Sequence, residues 1–244
     1  MRYEEYCKAR SIHQSSPLVD RNFYRELYHI AVSRAAVLND IVCLPLPANS
    51  RGRAIAERCF DLLLSSFGLL VCAIPFLVIA IAIKMDSPGR VFYRQARVGK
   101  EGQVFYIIKF RTMTADAERG TGPIWAAAGD PRLTRVGAFL RKFRLDEMPN
   151  LFNILKGEMR LVGPRPERPE FVYSFTRYLP AFSRRHDVKP GIAGLAQLMN
   201  GYDTSAASVY RKLRWDVQYI KRSSLGTDVW ILYRTVLAVL QGRV

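Results

Sequence analysis

Two adjacent carboxylates, Asp146 and Glu147, are the strongest candidates for chemistry in this sequence, because they stand at the start of a predicted helix. Pro149 fits this position, since proline is tolerated in the first turn of a helix. Acidic residues at a helix start also act as caps and interact favourably with the helix dipole. The pair alone therefore leaves two interpretations open, a helix cap and a reactive dyad.

Basic residues close to the dyad in sequence favour chemistry on phosphates. They are Arg135, Arg141, Lys142, Arg144, Arg160 and Arg165. A surface helix needs no such set, whereas a phosphoryl-transfer site must hold a highly charged anion. A helix N-terminus adds N–H donors for phosphate, and a carboxylate together with a diphosphate is a usual way to hold Mg²⁺.

The spacing of the two carboxylates predicts different roles for them. Neighbouring residues on an α-helix point about 100° apart, because a turn holds about 3.6 residues. Asp146 and Glu147 therefore cannot flank one bond symmetrically. We expect one nucleophile and one base or positioning group.

The composition weakens other functional classes. The formal net charge of +16 indicates an anionic partner. The basic residues are nevertheless scattered, and no recognition-helix, zinc-finger or RNA-binding signature occurs, so we expect no nucleic-acid partner. The four cysteines and three histidines show no metal-ligand spacing, which predicts reduced cysteines in a protein that faces the cytosol.

A stretch without charged residues, 62–83, is the main organisational feature. It is long enough to cross a bilayer, which takes roughly 20 apolar residues. Pro75 near its middle predicts a kink, and basic residues flank both ends, so the positive-inside rule gives no orientation. A re-entrant hairpin and a spanning helix both remain open on these residues.

The remaining patterns predict an α+β protein that is mainly α. Two β-like runs, 91–94 and 103–110, predict a small hairpin, and residues 114–131 predict a loop. Helices are expected at 20–39, 133–143, 144–159, 208–221 and 227–240, the last two suited to a membrane interface. We divide the chain into an N-terminal extension (1–50), a membrane segment (51–84) and a catalytic domain (85–244).

Short motifs follow one another from about residue 57 to the C-terminus. They are Arg58-Cys-Phe-Asp61, Lys84-Met-Asp-Ser-Pro-Gly89, Val91-Phe-Tyr-Arg-Gln95, Arg97-Val-Gly99, Ile108-Lys-Phe-Arg-Thr-Met113, Asp130-Pro-Arg-Leu-Thr-Arg-Val-Gly137, Leu145-Asp-Glu-Met-Pro149, Asn153-Ile-Leu-Lys-Gly-Glu-Met159, Leu161-Val-Gly-Pro-Arg-Pro166 and Lys189-Pro-Gly-Ile192. In this order they resemble the bacterial sugar transferase family, the monotopic polyprenyl-phosphate phosphoglycosyltransferases, in its short form.

The resemblance implies an enzyme that transfers a sugar-1-phosphate from a UDP-sugar to polyprenyl phosphate and releases UMP. Asp146 would be the nucleophile that attacks the β-phosphate and a ligand of Mg²⁺. Glu147 would assist as a base or metal partner. The alternative is a non-catalytic, membrane-anchored assembly protein in which the pair only caps a helix.

The resemblance also assigns supporting residues. Lys109, Arg141 and Arg165 match basic positions near the substrate phosphates, and Asp216 matches a carboxylate placed near the site. The chain departs from the pattern at Tyr202, which follows Asn200-Gly where many members have arginine. The identity of the sugar, the final polymer and a homo-oligomeric state are left open by the sequence.

In the family, the apolar segment is a re-entrant helix-break-helix, which here would break at Pro75. Many members have Ser-Pro at this break, whereas this chain has Ile74-Pro75. The resemblance therefore implies a protein of the bacterial inner membrane with its catalytic domain on the cytoplasmic face. Residues 1–50 match no part of the family pattern.

Overall fold

The computed structural model describes residues 1–9, 21–45, 50–114, 117, 130–200 and 205–242. Its helices are α1 (Tyr3–Ala9), α2 (Arg21–Ser33), α3 (Ala35–Val42), α4 (Arg51–Val71), α5 (Ala73–Asp86), α6 (Arg135–Lys142), α7 (Leu151–Lys156), α8 (Pro169–Tyr178), α9 (Leu195–Asn200), α10 (Ala206–Arg222) and α11 (Leu225–Leu240). Its strands are β1 (Phe92–Val98), β2 (Val104–Phe110), β3 (Arg160–Val162) and β4 (Gly191–Ala193). The architecture confirms the α+β class, mainly α.

The predicted hairpin is formed by β1 and β2, which pair antiparallel from Phe92–Phe110 to Val98–Val104. The first strand runs four residues beyond the predicted 91–94. The additional residues continue the alternation of side chains between the two faces of a strand. Ala96 and Val98 are buried, while Arg97 between them faces the opposite side. The hairpin was thus predicted correctly in type and too short in its first strand.

A second, two-stranded sheet was not predicted. Strands β3 and β4 pair in parallel, with Arg160 opposite Gly191 and Val162 opposite Ala193. The glycines at this junction allow the backbones to approach, since a Cβ on Gly191 would lie 2.1 Å from the backbone nitrogen of Gly163. Strands of three residues leave too short a pattern for sequence analysis to detect.

Helices α2 and α3 replace the single helix predicted at 20–39. The chain breaks at Arg34, which has a φ of −117°. On α3, Val37 is 43% exposed, while Leu38 and Ile41 are buried. Residue 20, the first of the predicted helix, lies outside the described residues.

The N-terminal helices share a core with the rest of the chain. Phe23 and Leu27 of α2 are buried in one cluster with Phe175 of α8 and with Leu213 and Val217 of α10. Helix α1 buries Tyr6 and Cys7 against Ala96 of the hairpin. The described parts of residues 1–45 therefore pack directly onto the segment predicted as the catalytic domain.

The apolar stretch forms two helices, α4 and α5, that meet at Cys72 with a bend of 58°. The bend lies three residues before Pro75, the position predicted for the break. A proline lacks the N–H that would bond the carbonyl four residues earlier, and its ring clashes with that carbonyl, so the distortion appears upstream of the ring. Pro75 itself lies in the first turn of α5.

No single helix among the described residues combines the length and the apolar character needed to cross a bilayer. Helices α4 and α5 taken together pass that test as one bent pair. Buried groups tie the pair to the rest of the molecule. Arg160 on β3 forms ion pairs with Glu57 and Asp61 of α4 and with Asp228 of α11.

Candidate active site

The dyad lies on a 3₁₀ turn, Leu145–Asn150, that leads directly into α7. The sequence predicted an α-helix from 144 to 159, but the α-helical part ends at Lys156. Gly157 follows with a φ of 83°, a left-handed conformation that ends the helix and that glycine adopts without a steric penalty. Met159, predicted on the helix stripe, is instead buried next to β3.

Arg144 sets the direction of this turn. It has a φ of 57° and a ψ of 18°, the left-handed region that residues other than glycine rarely adopt. Such a conformation costs of order 1 kcal/mol and persists only when the surroundings enforce it. The reversal between α6 and the turn places Asp146 and Glu147 in the wall of a cavity, where they are 7% and 6% exposed.

Glu147 is held by cations on both carboxylate oxygens. Arg165 donates from Nη1 to Oε2 at 3.0 Å and from Nη2 to Oε1 at 2.5 Å, and Lys109 Nζ lies 2.6 Å from Oε1. Burial alone would raise the pKa of Glu147, but Arg165 and Lys109 lower it well below its ordinary value. Glu147 is therefore a weak base that fixes the positions of two cations.

Asp146 has the opposite electrostatic balance. Burial raises its pKa above the ordinary value of 3.8, and the negative charge of Glu147 acts in the same direction, while Lys109 opposes the shift. A desolvated carboxylate is more basic and more nucleophilic than one in water. The two neighbouring carboxylates thus have opposite electrostatic environments: Glu147 is stabilised as an anion, and burial destabilises the charged form of Asp146.

The cavity in front of the dyad has a volume of about 340 Å³ and is strongly cationic. Eight basic and three acidic side chains of the described residues line it. Fixed cations in such excess, within a partly desolvated pocket, favour an anionic ligand such as a diphosphate. Its volume lies in the range of small-molecule sites, roughly 300–1,000 Å³.

Lys109, Arg141 and Arg165, the predicted phosphate-binding residues, are brought together around this cavity. Lys109 lies on β2, opposite Tyr93 of β1. Arg141 on α6 donates from Nε to Thr112 Oγ1 at 3.0 Å. This contact depends on Gly137, because a Cβ there would lie 2.0 Å from the carbonyl oxygen of Thr112.

Comparison with known proteins agrees with this geometry. The family model described as "Bacterial sugar transferase" matches residues 52–242. The chain belongs to the bacterial sugar transferase family. The match includes the hairpin, the dyad turn and every cavity residue discussed above, and it leaves out α1, α2 and α3.

Three curated relatives illustrate the similarity. The chain is 43% identical to a UDP-N-acetylgalactosamine-undecaprenyl-phosphate N-acetylgalactosaminephosphotransferase of Aeromonas hydrophila, over 78% of this chain and 44% of that protein. It is 38% identical to a UDP-glucose:undecaprenyl-phosphate glucose-1-phosphate transferase of Xanthomonas campestris pv. campestris, over 97% and 54%. It is 36% identical to the exopolysaccharide production protein PSS of Rhizobium leguminosarum bv. phaseoli, over 76% and 96%. The chain spans about half the length of the first two.

Within this bacterial sugar transferase, Asp216 lies behind the cavity wall. It is 1% exposed, and its Oδ2 accepts a hydrogen bond from Arg185 Nε at 2.6 Å. Arg185 in turn donates from Nη2 to the backbone carbonyl of Arg165 at 2.8 Å. Asp216 therefore acts on the site through Arg185 and the backbone of Arg165, a more remote position than a carboxylate beside the substrate.

Several cavity residues were missed by the sequence analysis as binding residues. Arg97 and Gln95 alternate on the face of β1 that points to the cavity, and Glu167 follows the Gly163-Pro-Arg-Pro166 turn. Lys212 on α10 pairs with Glu167. The alternation on β1 was a usable signal, whereas the contact between Glu167 and Lys212 joins positions 45 residues apart and leaves no local pattern.

The described residues contain no cluster of three or more His, Cys, Asp or Glu side chains that could hold a metal ion. Both oxygens of Glu147 are engaged by cations, so Asp146 supplies the one carboxylate at the dyad that is suited to a hard cation. One carboxylate fits Mg²⁺ that binds together with substrate phosphates and water. It does not fit a metal site built by the protein alone.

Proposed function

We propose that this chain is a phosphoglycosyltransferase that moves a sugar-1-phosphate from a UDP-sugar to undecaprenyl phosphate and releases UMP. The observation that carries the proposal is the pairing of a desolvated Asp146 with a cation-clamped Glu147 in a basic cavity. Relatives named as undecaprenyl-phosphate sugar-1-phosphate transferases support the choice of donor and acceptor. The product would begin the assembly of an exopolysaccharide, capsule, O-antigen or other glycoconjugate.

In the first step, a carboxylate oxygen of Asp146 attacks the β-phosphorus of the donor. A new P–O bond forms to Asp146, and the bond to the bridging oxygen breaks, so UMP leaves with that oxygen and its electron pair. In the second step, a phosphate oxygen of the lipid attacks the same phosphorus and the carboxylate leaves. Each step exchanges one P–O bond for another, which regenerates Asp146.

The cations of the cavity would stabilise both steps. Lys109 and Arg165, fixed by Glu147, lie where charge accumulates on the transferring phosphoryl oxygens. Arg141, held by Thr112, adds a third cation to the same wall. Mg²⁺, when bound through Asp146 and the donor diphosphate, would supply further charge neutralisation. Glu147 acts by positioning, because its lowered pKa makes it a poor proton acceptor.

We infer that α4 and α5 form a re-entrant membrane hairpin. Their apolar side chains remain open to the surroundings, and Leu63, Leu70, Ile74 and Met85 are each more than 70% exposed. Apolar surface of this extent marks a contact with lipid or protein. The 58° bend and basic residues at both ends suit a hairpin that returns to the same face.

Helix α11 also exposes large apolar side chains. Trp230 and Tyr233 are 47% and 61% exposed, and aromatic side chains of this kind favour the membrane–water boundary. A site at the cytoplasmic face of the inner membrane would meet both a soluble nucleotide donor and a lipid acceptor. The excess of basic residues would attract an anionic leaflet by about 1 kcal/mol per nearby side chain.

The test is release of UMP by detergent-purified protein supplied with Mg²⁺, undecaprenyl phosphate and a panel of UDP-sugars. UDP-N-acetylgalactosamine and UDP-glucose come first, because the relatives' names contain them. We expect turnover with at least one donor, no turnover for Asp146→Asn, and wild-type rates for Asp40→Asn, an exposed aspartate on α3. Absence of UMP with every donor would instead favour a non-catalytic assembly protein.

A further inference from the structure

Arg97 contributes a largely buried guanidinium to the cavity. The proposed mechanism gives this residue no role. Its side chain is 15% exposed, and it lies on the cavity-facing side of β1. Nη1 donates to the carbonyl of Pro166 at 2.9 Å, and Nη2 donates to Gln95 Oε1 at 2.5 Å. Its Nε is buried and has no hydrogen-bond partner among the described residues. A buried donor without a protein partner is costly, and a bound group that offers an acceptor to it removes that cost.

The ligand that fits is an anion. Burial lowers the pKa of Arg97 to about 10; Glu167 opposes this shift, and the nearby cations Arg165 and Arg168 act in the same direction as burial. Three guanidinium groups that repel one another in a desolvated wall are stabilised when a phosphate binds between them. In the proposed reaction, Lys109 and Arg165 stabilise the phosphate that Asp146 attacks. A nucleotide-sugar carries a second phosphate, which leaves with the nucleotide.

Glu167 and Lys212 form a two-residue relay of ionic contacts that positions Arg97. Glu167 Oε2 lies 3.8 Å from Arg97 Nη1, and Glu167 Oε1 accepts a hydrogen bond from Lys212 Nζ. Burial alone would raise the pKa of Glu167, but Lys212, Arg185 and Arg97 lower it to about 2, so it remains an anion. Lys212 shares one face of α10 with Asp216, four residues later, which supports Arg165 through Arg185.

We propose that Arg97 binds the phosphate of the leaving nucleotide, and that Glu167 and Lys212 are positioning residues that aim it. The inference rests on the proposed function and adds a residue specific to the donor. The donor alone has this second phosphate, and it departs with UMP. Loss of Arg97 therefore impairs the first half-reaction and leaves the second, attack by the lipid phosphate, unchanged.

Two-substrate kinetics separate these half-reactions. In a ping-pong mechanism, kcat/KM for the donor reports the steps up to UMP release, and kcat/KM for the acceptor reports the steps after it. For Arg97→Lys, which keeps the charge and loses the planar fork, we expect kcat/KM for the donor to fall about 10- to 100-fold. We expect kcat/KM for undecaprenyl phosphate to stay within about twofold. A loss of folded enzyme would lower both constants equally.

The relay is tested by removing both of its charges. Glu167→Gln combined with Lys212→Met removes both members of the Glu167–Lys212 ion pair together, so neither of these two residues is left as an unpaired charge. We expect the same selective decrease in kcat/KM for the donor in this double variant. The decrease should be smaller in Lys212→Arg, which keeps a cation beside Glu167. Lys221→Met, which changes an exposed lysine on α10, should leave both constants unchanged. Unchanged donor constants, or equal decreases for donor and acceptor, would overturn the proposal. If wild-type protein releases no UMP from any donor, the proposed function itself fails.

Discussion

Asp146 and Glu147 are neighbours in sequence, yet their side chains experience opposite electrostatic environments. Glu147 is stabilised as an anion by Arg165 and Lys109, whereas burial destabilises the charged form of Asp146. At the scale of single residues, this difference supports the proposal that Asp146 is the nucleophile. It arises because the 3₁₀ turn directs one carboxylate to the cations and the other to the desolvated cavity.

The raised pKa of Asp146 predicts an acid limb in the pH profile. The nucleophile is the carboxylate, so kcat/KM for the donor should fall as the pH drops through a pKa that lies above 3.8. Lys109 lowers that pKa, and its removal in Lys109→Met should therefore move the limb to higher pH. The shift is checked by measuring kcat/KM for the donor against pH in Lys109→Met and in the wild type. Lys156→Met, an exposed lysine, should leave the limb in place, and identical limbs in both variants would contradict the assignment.

At the scale of secondary structure, the site depends on close contacts between elements that lie far apart in sequence. Helix α6 crosses the backbone of Thr112 at Gly137, and this crossing sets the position of Arg141. Helix α10 directs Lys212 to Glu167 and Asp216 to Arg185, while Leu213 and Val217, on the adjacent face, enter the core with α2. Each crossing can be tested with one substitution.

Gly137→Ala should displace α6. The added Cβ would lie 2.0 Å from a backbone oxygen, a clash that no side-chain rotation relieves. We expect a loss of about 1–3 kcal/mol in unfolding free energy and a large decrease in UMP release, because Arg141 moves with the helix. Denaturant unfolding and turnover measure the two effects. Gly52→Ala is the matched control, since no atom lies within 4 Å of its Cβ position, and equal effects in both variants would contradict the crossing.

Leu27→Ala tests whether the N-terminal helices belong to the fold. Leu27 is fully buried against α10, and a large-to-small change in a core costs about 2–5 kcal/mol. We expect that loss in unfolding free energy, although the family match begins only at residue 52. Val32→Ala on the same helix, where the side chain is 58% exposed, should change stability by no more than about 0.5 kcal/mol. Similar values for both variants would mean that α2 contributes little to the core.

Sequence patterns predicted the elements whose signals are local. Alternation predicted the hairpin, and apolar spacing predicted α6, α10 and α11 within three residues at each end. The break at Arg34 and the helix end at Gly157 were missed, because the apolar pattern continues through both. Polar neighbours such as Glu167 and Lys212, or Arg185 and Asp216, meet only through tertiary packing. No spacing rule predicts such contacts.

The candidate site could be predicted in its composition and less well in its geometry. The dyad and three surrounding cations were named from motifs, and the structure brings all of them to one cavity. Asp216 was expected near the substrate, but it contacts the site through Arg185. The opposite pKa shifts of the two carboxylates depend on burial and on tertiary contacts with Arg165 and Lys109, which the sequence does not show.

At the scale of the whole molecule, a cationic cavity and an apolar surface coexist in one compact chain. The bent pair α4–α5 exposes long apolar side chains, and Arg160 ties α4 to β3, five residues before Arg165. This arrangement would hold the reactive carboxylate at a fixed height relative to the bilayer. The orientation of the pair would decide whether the proposed lipid acceptor can reach Asp146.

Labelling of single cysteines tests the re-entrant hairpin. In protein with its native cysteines replaced by serine, Arg51→Cys and Arg90→Cys bracket the pair at exposed positions. A membrane-impermeant maleimide should label both in inside-out vesicles and neither in intact spheroplasts. Ile74→Cys, next to the bend, should resist labelling in both preparations. Labelling of 51 and 90 from opposite sides would establish a spanning segment instead.

The most direct measurement is mass spectrometry of the protein incubated with a competent donor and no acceptor. The account predicts a mass increase of one sugar-phosphate, located on the peptide that contains Asp146, absent in Asp146→Asn and discharged by undecaprenyl phosphate. Sustained turnover in a preparation that never yields this adduct, or an adduct on another residue, would contradict the central claim.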